Sequence, residues 1–441
     1  MQRNGVLNRR RFLGRTAAAL AAPAVLPSSV FGADAPSNRI TIGMIGVGRQ
    51  ALFANLPAFL HSEDTQVVAA CDVDKWRLDK AVQEVEKFYA AKKASGAYKG
   101  CAVYKDFREL LARNDIDAVM ISTPDHWHVP MAIAAAKAGK DIALEKPITL
   151  SIDEGRLLSD TVRRYGRVFR TDSEARCQWF FHKACELVRN GKIGKLHTMR
   201  VGVPREGAPV IEATVMPVPE ELDYDTWLGP APQAPYTLDR VHPRQGYDRP
   251  GWMRVRDYCD GMICNWGTHL VDIAQWGNNT DRTGPVEVEA RGTYPPRGLW
   301  DVLSDFQASY RYANGVQMFY AMSHPYVRFE GDEGWVEADW SKSTLAAQPE
   351  SLLKEKTGAG RVQLLLKSEK KDFIDCVKTR GQTLADAEVG HRTTTVCHLA
   401  HISIKLGGQK LKWDPDKEVF ADNEAANRLA KRSALRAPWT M

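Results

Sequence analysis

The sequence predicts an α/β protein whose N-terminal part is a doubly wound parallel sheet, and three observations predict it. From Arg39 onward, β-like apolar runs alternate with helix-like segments of similar length. A glycine-rich turn follows the first of those runs directly. Polar clusters follow two later runs, at the strand ends where open parallel sheets bind ligands.

The elements justify this in order. Residues 1–33 hold Arg3, Arg9, Arg10, Arg11 and Arg15 and no acidic residue. Asn8-Arg9-Arg10-Arg11-Phe12-Leu13 is a twin-arginine pattern, followed by a short alanine-rich run and small residues at Gly32 and Ala33. This predicts an export signal over 1–33, cut near its end, and a periplasmic mature protein. The run is too short to span a bilayer. Without it the formal charge of +6 falls to 55 basic against 54 acidic side chains, which removes the case for a nucleic-acid partner.

Arg39–Ile45 reads as a buried strand, and Gly46-Val47-Gly48-Arg49-Gln50-Ala51 follows as a G-x-G-x-x-A turn into an apolar helix over Leu52–Leu60. Gly46 permits the sharp turn, and Gly48 lets backbone amides approach a pyrophosphate. The next β-run, Gln66–Cys71, ends in Asp72, an acid that suits the ribose hydroxyls of NAD and repels the 2′-phosphate of NADP. The pattern is that of a Rossmann domain over 37–160. Asp117–Ile121 then leads into Ser122-Thr123-Pro124-Asp125-His126-Trp127-His128, and Asp141–Leu144 into Glu145-Lys146-Pro147.

The eight cysteines all lie beyond the signal, form no C-x-x-C, and have no histidine cluster beside them at zinc-like spacing. Buried free thiols and no metal are expected.

Gly46-Val47-Gly48, Asp72, Thr123-Pro124 with His128, and Glu145-Lys146-Pro147 together resemble the family of glucose–fructose oxidoreductase, inositol dehydrogenase and MocA (Gfo/Idh/MocA). Asp225-Thr226-Trp227-Leu228-Gly229-Pro230, the run Asn265–Asp272 and Gly334-Trp335-Val336-Glu337 are similar to it as well. Asp386–Arg392 and Arg436-Ala437-Pro438-Trp439 resemble its exported branch. The resemblance implies a substrate-binding α+β domain over 161–441, built on an open, mostly antiparallel sheet that also serves as a homo-oligomer surface. Val286–Ala290 and Val316–Tyr320 alternate as half-buried strands, and Phe180–Asn190 reads as a helix stopped by Gly191.

The resemblance also assigns chemistry. Arg49, Gln50, Thr123, Pro124 and His128 join Gly46, Gly48 and Asp72 as cofactor contacts, and Glu145 holds the nicotinamide ribose. Hydride transfer from a carbinol needs a base for the hydroxyl proton and a partner for the developing oxyanion. Lys146 fills both roles, with its pKa lowered by desolvation and by the nicotinium charge. His269 shuttles the proton, and Asp272, three residues on and on the same helix face, supports it. The family usually has Gly-Gly-Gly-x-x-x-Asp before the histidine, where this chain has Cys259-Asp260-Gly261-Met262-Ile263-Cys264-Asn265. Asn265 can hydrogen-bond substrate but takes no proton, and Asp260 is the nearest replacement charge. Arg176 is the expected hydroxyl-binding residue. Trp227, Trp252, Tyr258 and Trp266 are expected to stack on a sugar ring.

An exported dehydrogenase has no NAD pool to draw on, so its cofactor must be retained and recycled in place. The expected function is oxidation of a hydroxyl on a sugar, sugar derivative or cyclitol. The alternatives are a lyase, glycosidase or epimerase working by transient oxidation, and a dinucleotide-binding protein without catalysis.

Overall fold

The strand after Arg39 is β1 (Ile40–Ile45), and the chain continues through β2 (Thr65–Cys71), β3 (Ala102–Tyr104), β4 (Ala118–Ile121), β5 (Asp141–Leu144) and β6 (Phe169–Thr171). The structure, a computed structural model, describes residues 39–207 and 209–441; the expected export signal lies outside them. The six strands pair in parallel in the order β3-β2-β1-β4-β5-β6. Alternate residues feed two separate cores. Ile42, Met44 and Met120 pack on one face, and Ile45, Val119 and Ile121 on the other. Burial on both faces explains why these strands are almost continuously apolar. The order reverses between β1 and β4, which opens a crevice beyond their carboxyl ends.

The helix expected over Leu52–Leu60 begins differently. Ala51–Asn55 is a wide π turn, and only Leu56–Leu60 is regular α-helix. The wider turn carries Asn55, fully buried, under the crevice. π turns of this kind are often found at functional sites.

The second sheet has nine strands: β7 (Leu196–Pro204), β8 (Pro285–Thr293), β9 (Asp305–Tyr312), β10 (Gln317–Ser323), β11 (Tyr326–Gly331), β12 (Gly334–Asp339), β13 (Thr344–Gln348), β14 (Leu411–Asp414) and β15 (Val419–Phe420). Their order is β13-β12-β11-β7-β10-β9-β8-β14-β15. Only β7 and β10 pair in parallel; every other pair is antiparallel. Along β10, Met318, Tyr320 and Met322 are buried while Gln317, Phe319 and Ser323 are exposed. The inner face packs on three helices, Trp179–Arg189, Gly267–Gly277 and Ala387–Lys405, through one large apolar core. Asp386 caps the last of these by accepting from the Val389 amide. The outer face is open and charge-laced, with Arg200 over the Phe319 ring at 5.2 Å.

Residues Ile40–Met441 form one compact unit. The tail closes it: Arg436 donates to Asp225 and to the Gly229 carbonyl, and Trp439 packs edge-on to Trp127 at 4.7 Å. All eight cysteines are free thiols; six are buried as expected, while Cys101 and Cys177 are half-buried. No helix among the described residues is long and apolar enough to cross a membrane.

Candidate active site

The glycine turn leaves β1 at the switch point. Gly46 has φ +77, and a Cβ there would stand 2.8 Å from the Ser122 carbonyl carbon, so only glycine fits. Gly48 has nothing within 4 Å of its would-be Cβ, which leaves the turn open to a ligand. Beyond the turn lies an open cleft, lined in part by Gly46, Gly48, Arg49, Gln50, Asp72, Thr123, Pro124, Glu145, Lys146 and Asn265.

Asp72, at the end of β2, accepts from the Val47 amide at 2.8 Å and the Asp74 amide at 2.9 Å. Burial raises its pKa, and those two amides work against the rise. The cleft walls also carry polar atoms with no partner among the described residues, Thr123 Oγ1 and Asp125 Oδ2, and Asn55 Oδ1 is unpartnered beneath them. Buried polar atoms left unpaired cost roughly 1–3 kcal/mol each, so this lining is built for a polar ligand. It fits a dinucleotide.

Glu145 and Lys146 leave β5 at the cleft floor. Asn55 donates to Glu145 Oε1 at 2.9 Å and to Ser122 at 3.0 Å, which fixes the carboxylate. Burial pushes Glu145 up; Lys146 and Lys370 pull it back. The Lys146 ammonium makes no hydrogen bond or ion pair with any described residue. Its charge is felt by the groups around it, Asp125, His128, Glu145, Glu174 and His269. His269 is buried, and burial together with Lys146 holds its pKa well below the usual value, so the ring is neutral. Its Nδ1 faces Ser173 Oγ at 3.4 Å, and Nε2 has no partner among the described residues. His269 stands behind the cleft lining, next to Lys146.

Asp125 is the main residue that sequence reasoning passed over. It is 2 % exposed yet lines the cleft, and burial raises its pKa to about 8, with Lys146 opposing. The one signal available was its place directly after a strand end in the Thr123–His128 run. Glu174, half-buried and outside that lining, is also a raised acid: burial and the charges of Glu369 and Glu145 bring it to about 7.

Several expected site residues are elsewhere. His128 is fully buried behind the cleft and contacts no cofactor space. Its Nδ1 lies 2.6 Å from the Pro147 carbonyl and its Nε2 2.9 Å from the Thr123 carbonyl, so it braces the two loops against each other. Burial lowers it to about 4; we assign its single N–H to the shorter contact. Asp272 does not support His269. It receives a bidentate pair from Arg176, with both N···O distances 2.7 Å. Arg176 also donates to the Leu384 carbonyl and Asp281, is 2 % exposed and stands outside the cleft lining, so its recorded bonds are those of a framework residue and not of a cleft wall. A buried guanidinium requires a carboxylate, and that demand outweighs the helix-face spacing that suggested His269 as the partner. Tyr258 is fully buried, edge-on to Trp227 at 4.9 Å, with its hydroxyl taken by Arg240. Trp266 packs on Trp340 at 5.3 Å outside the lining, whereas Trp227 and Trp252 do line it. Asp260 faces away from His269, toward His398 and His401.

A strap from the second domain, about residues 238–253, closes the Asp72 end of the cleft. Arg77 holds it by donating to the Pro243 and Gly246 carbonyls at 2.9 and 2.8 Å and to Asp74 at 2.7 Å. His242 donates to Asp74 at 3.0 Å, and Tyr247 packs against Phe53 and Trp76. Burial favours the neutral acid at Asp74, but His242 and Arg77 outweigh it and keep its pKa low. Apart from a single 3-10 turn at Gly251–Arg254 the strap is irregular, so the sequence carried no periodic signal for it.

Residues 40–173 match the oxidoreductase family's NAD-binding Rossmann fold (GFO_IDH_MocA), and residues 208–441 match its C-terminal α/β domain (GFO_IDH_MocA_C2). Among curated relatives, a glycosyl hydrolase family 109 protein 1 of Shewanella sp. (strain ANA-3) is 32% identical over 204 residues, 46% of this chain and 40% of that protein. The chain thus matches less than half the length of that relative. Among solved structures, the aldose-aldose oxidoreductase of Caulobacter crescentus complexed with glycerol superposes with a TM-score of 0.60 at 18% identity, over 85% of this chain and 99% of that one. A levoglucosan dehydrogenase in complex with NADH and levoglucosan gives 0.60 at 15% identity, over 87% and 100%. At these identities the structures show a shared fold, while the two family matches cover most of the chain: it belongs to the Gfo/Idh/MocA oxidoreductase family, with that family's NAD-binding Rossmann domain followed by its C-terminal α/β domain.

Proposed function

We propose that this chain is an exported oxidoreductase that keeps its NAD bound and oxidises a hydroxyl of a sugar, sugar derivative or cyclitol. The observation that carries the proposal is Lys146: a cleft lysine whose ammonium has no partner among the described residues, beside a neutral histidine and a neutral carboxylic acid. When bound, NAD supplies the hydride acceptor. Lys146 as the free amine takes the proton of the substrate hydroxyl, and its ammonium form then faces the oxygen that had carried it. The neutral His269 passes that proton on through Nε2. Asn265 orients the substrate by hydrogen bonding through its amide. Asp125, protonated below about pH 8, donates a hydrogen bond into the cleft.

Retention is supported by the strap, whose Arg77 and His242 contacts must open before a ligand at the Asp72 end can leave. Export is supported by the twin-arginine pattern at Asn8–Leu13. We assign the open face of the nine-stranded sheet to pairing of two copies.

A second reading, a glycosidase or lyase that works by transient oxidation, is favoured by Asp125. A neutral acid in the cleft can protonate a leaving group, and the curated relative described above is named as a glycosyl hydrolase family 109 protein. One experiment separates the readings. The purified protein is denatured and assayed for released NAD(H), then incubated with free sugars and glycosides. Bound NADH accumulating with a free sugar supports the dehydrogenase; product without net absorbance change supports the internal cycle. Protein that neither carries nor binds NAD overturns both. Lys146→Ala should lower turnover by at least about 100-fold, the scale of general-base catalysis, while sparing NAD retention. Activity within tenfold of wild type would refute the assignment.

A further inference from the structure

Behind the cleft, buried metal-ligand atoms from a turn, a short helix and a distant long helix come within 4.8 Å of one another. Asp260 comes from the turn before the short helix Met262–Asn265, Cys264 from that helix, and His398 from the long helix Ala387–Lys405. They are 7%, 0% and 4% exposed. Asp260 Oδ2 lies 3.2 Å from His398 Nδ1, and the Cys264 sulfur lies 3.9 Å from each of those two atoms.

From zinc-ligand bond lengths of ~2.0–2.3 Å, a tetrahedral site has edges of ~3.3 Å between nitrogen and oxygen and ~3.6 Å from sulfur to either. The observed triangle is within a few tenths of an ångström of three such edges. The carboxylate is also oriented as metal-binding carboxylates are. His401, one turn beyond His398, approaches the other oxygen, Oδ1, at 3.1 Å, and its far nitrogen lies 3.0 Å from the Tyr294 hydroxyl. Oδ2 is thereby aimed at Cys264 and His398. No lysine or arginine pairs with Asp260 among the described residues; its ion-pair contacts are the two histidines.

We propose that Asp260, Cys264 and His398 bind one divalent cation of the zinc type, with His401 and Tyr294 positioning the carboxylate. Binding deprotonates the thiol, and the proton passes to solvent. The site is buried away from the cleft, so its role is structural. It pins the segment Cys259–Asn265, and with it the cleft residue Asn265, to the long helix. Sequence spacing hides such a site, because Cys264 and His398 lie 134 residues apart.

The test uses the full-length protein, incubated with zinc chloride and freed of loose metal on a chelating resin. Elemental analysis should find about one zinc per chain, and less than about a tenth in Cys264→Ser and His398→Gln. Should those variants fail to fold, the wild-type protein loaded with cobalt(II) still decides. Tetrahedral thiolate ligation gives intense visible bands and a near-ultraviolet sulfur-to-cobalt band. The proposal is overturned by folded wild-type protein that retains less than about a tenth of an equivalent of zinc, or by a cobalt spectrum without the sulfur band. A Cys264–Cys397 disulfide, seen by mass spectrometry of the native protein, also overturns it, since Cys397 touches Cys264 and competes for the same sulfur.

Discussion

Asp125 shows how burial alone prepares an acid. Its folded pKa of about 8 lies far above the ~3.9 of an exposed aspartate. Between those two values the unfolded chain has released the proton and the native state has not, so the native state binds more protons and stability falls as pH rises. Asn at this position is neutral in both states. Asp125→Asn should therefore gain stability relative to wild type as pH rises from 4 to 8, by at least about 1.4 kcal/mol, the equivalent of one pKa unit. Thermal melts across that range read the difference, and a constant offset would refute it. Arg176 makes the opposite case. Removing one partner of a buried ion pair leaves an uncompensated charge, so Arg176→Ala should cost about 3–5 kcal/mol in denaturant unfolding. In the folded fraction KM should stay within about twofold of wild type, because Arg176 touches Asp272, Asp281 and the Leu384 carbonyl and not the cleft. A large KM change would restore the substrate role that its resemblance suggested. Lys146 was legible in the sequence because a polar residue directly after a buried parallel strand has one place to go. The partners of Asp272 were not: i, i+3 spacing puts two residues on one face without saying which group faces them.

At the scale of elements, the strap and the π turn are the two devices that periodicity could not announce. The strap is irregular chain held by side chains, chiefly the Arg77 guanidinium, which bridges Asp74 and two backbone carbonyls. Arg77→Ala should release it. The expected outcome is NAD dissociation at least tenfold faster, about 1.4 kcal/mol of lost retention, read by the decay of bound-nicotinamide fluorescence after dilution. An unchanged rate would show that the strap does not govern retention. The π turn widens the start of a helix that the sequence predicted as regular from Leu52, and this places Asn55 where it holds Glu145. The long helix Ala387–Lys405 is the reverse case. Its cap and first turn were recognised as a motif, but its burial on nearly every side depends on the sheet and helices around it.

For the whole molecule, the open sheet face carries the remaining expectation. Phe319, outward on β10 near the middle of the nine strands, is 39% exposed. If two copies pair there, Phe319→Glu should weaken the dimer at least tenfold, about 1.4 kcal/mol, in sedimentation or light-scattering titrations. An unaffected dimer, or a wild-type monomer, would remove the face from consideration. What the sequence by itself determined was the local grammar: the strand–glycine turn–helix start, the acid at the end of β2, the Glu145-Lys146 floor, and the second domain by family likeness. Those features are short-range, set by backbone sterics, strand burial and residues adjacent in the chain. Tertiary structure decided which polar groups reached the cleft and which were consumed in holding the frame. His128, Arg176, Asp272 and Tyr258 went to the frame, and Asp125, His242 and Tyr247 to the cleft. The physical reason is that a buried charge or hydrogen-bonding group takes the partner that packing brings to it, from any distance along the chain.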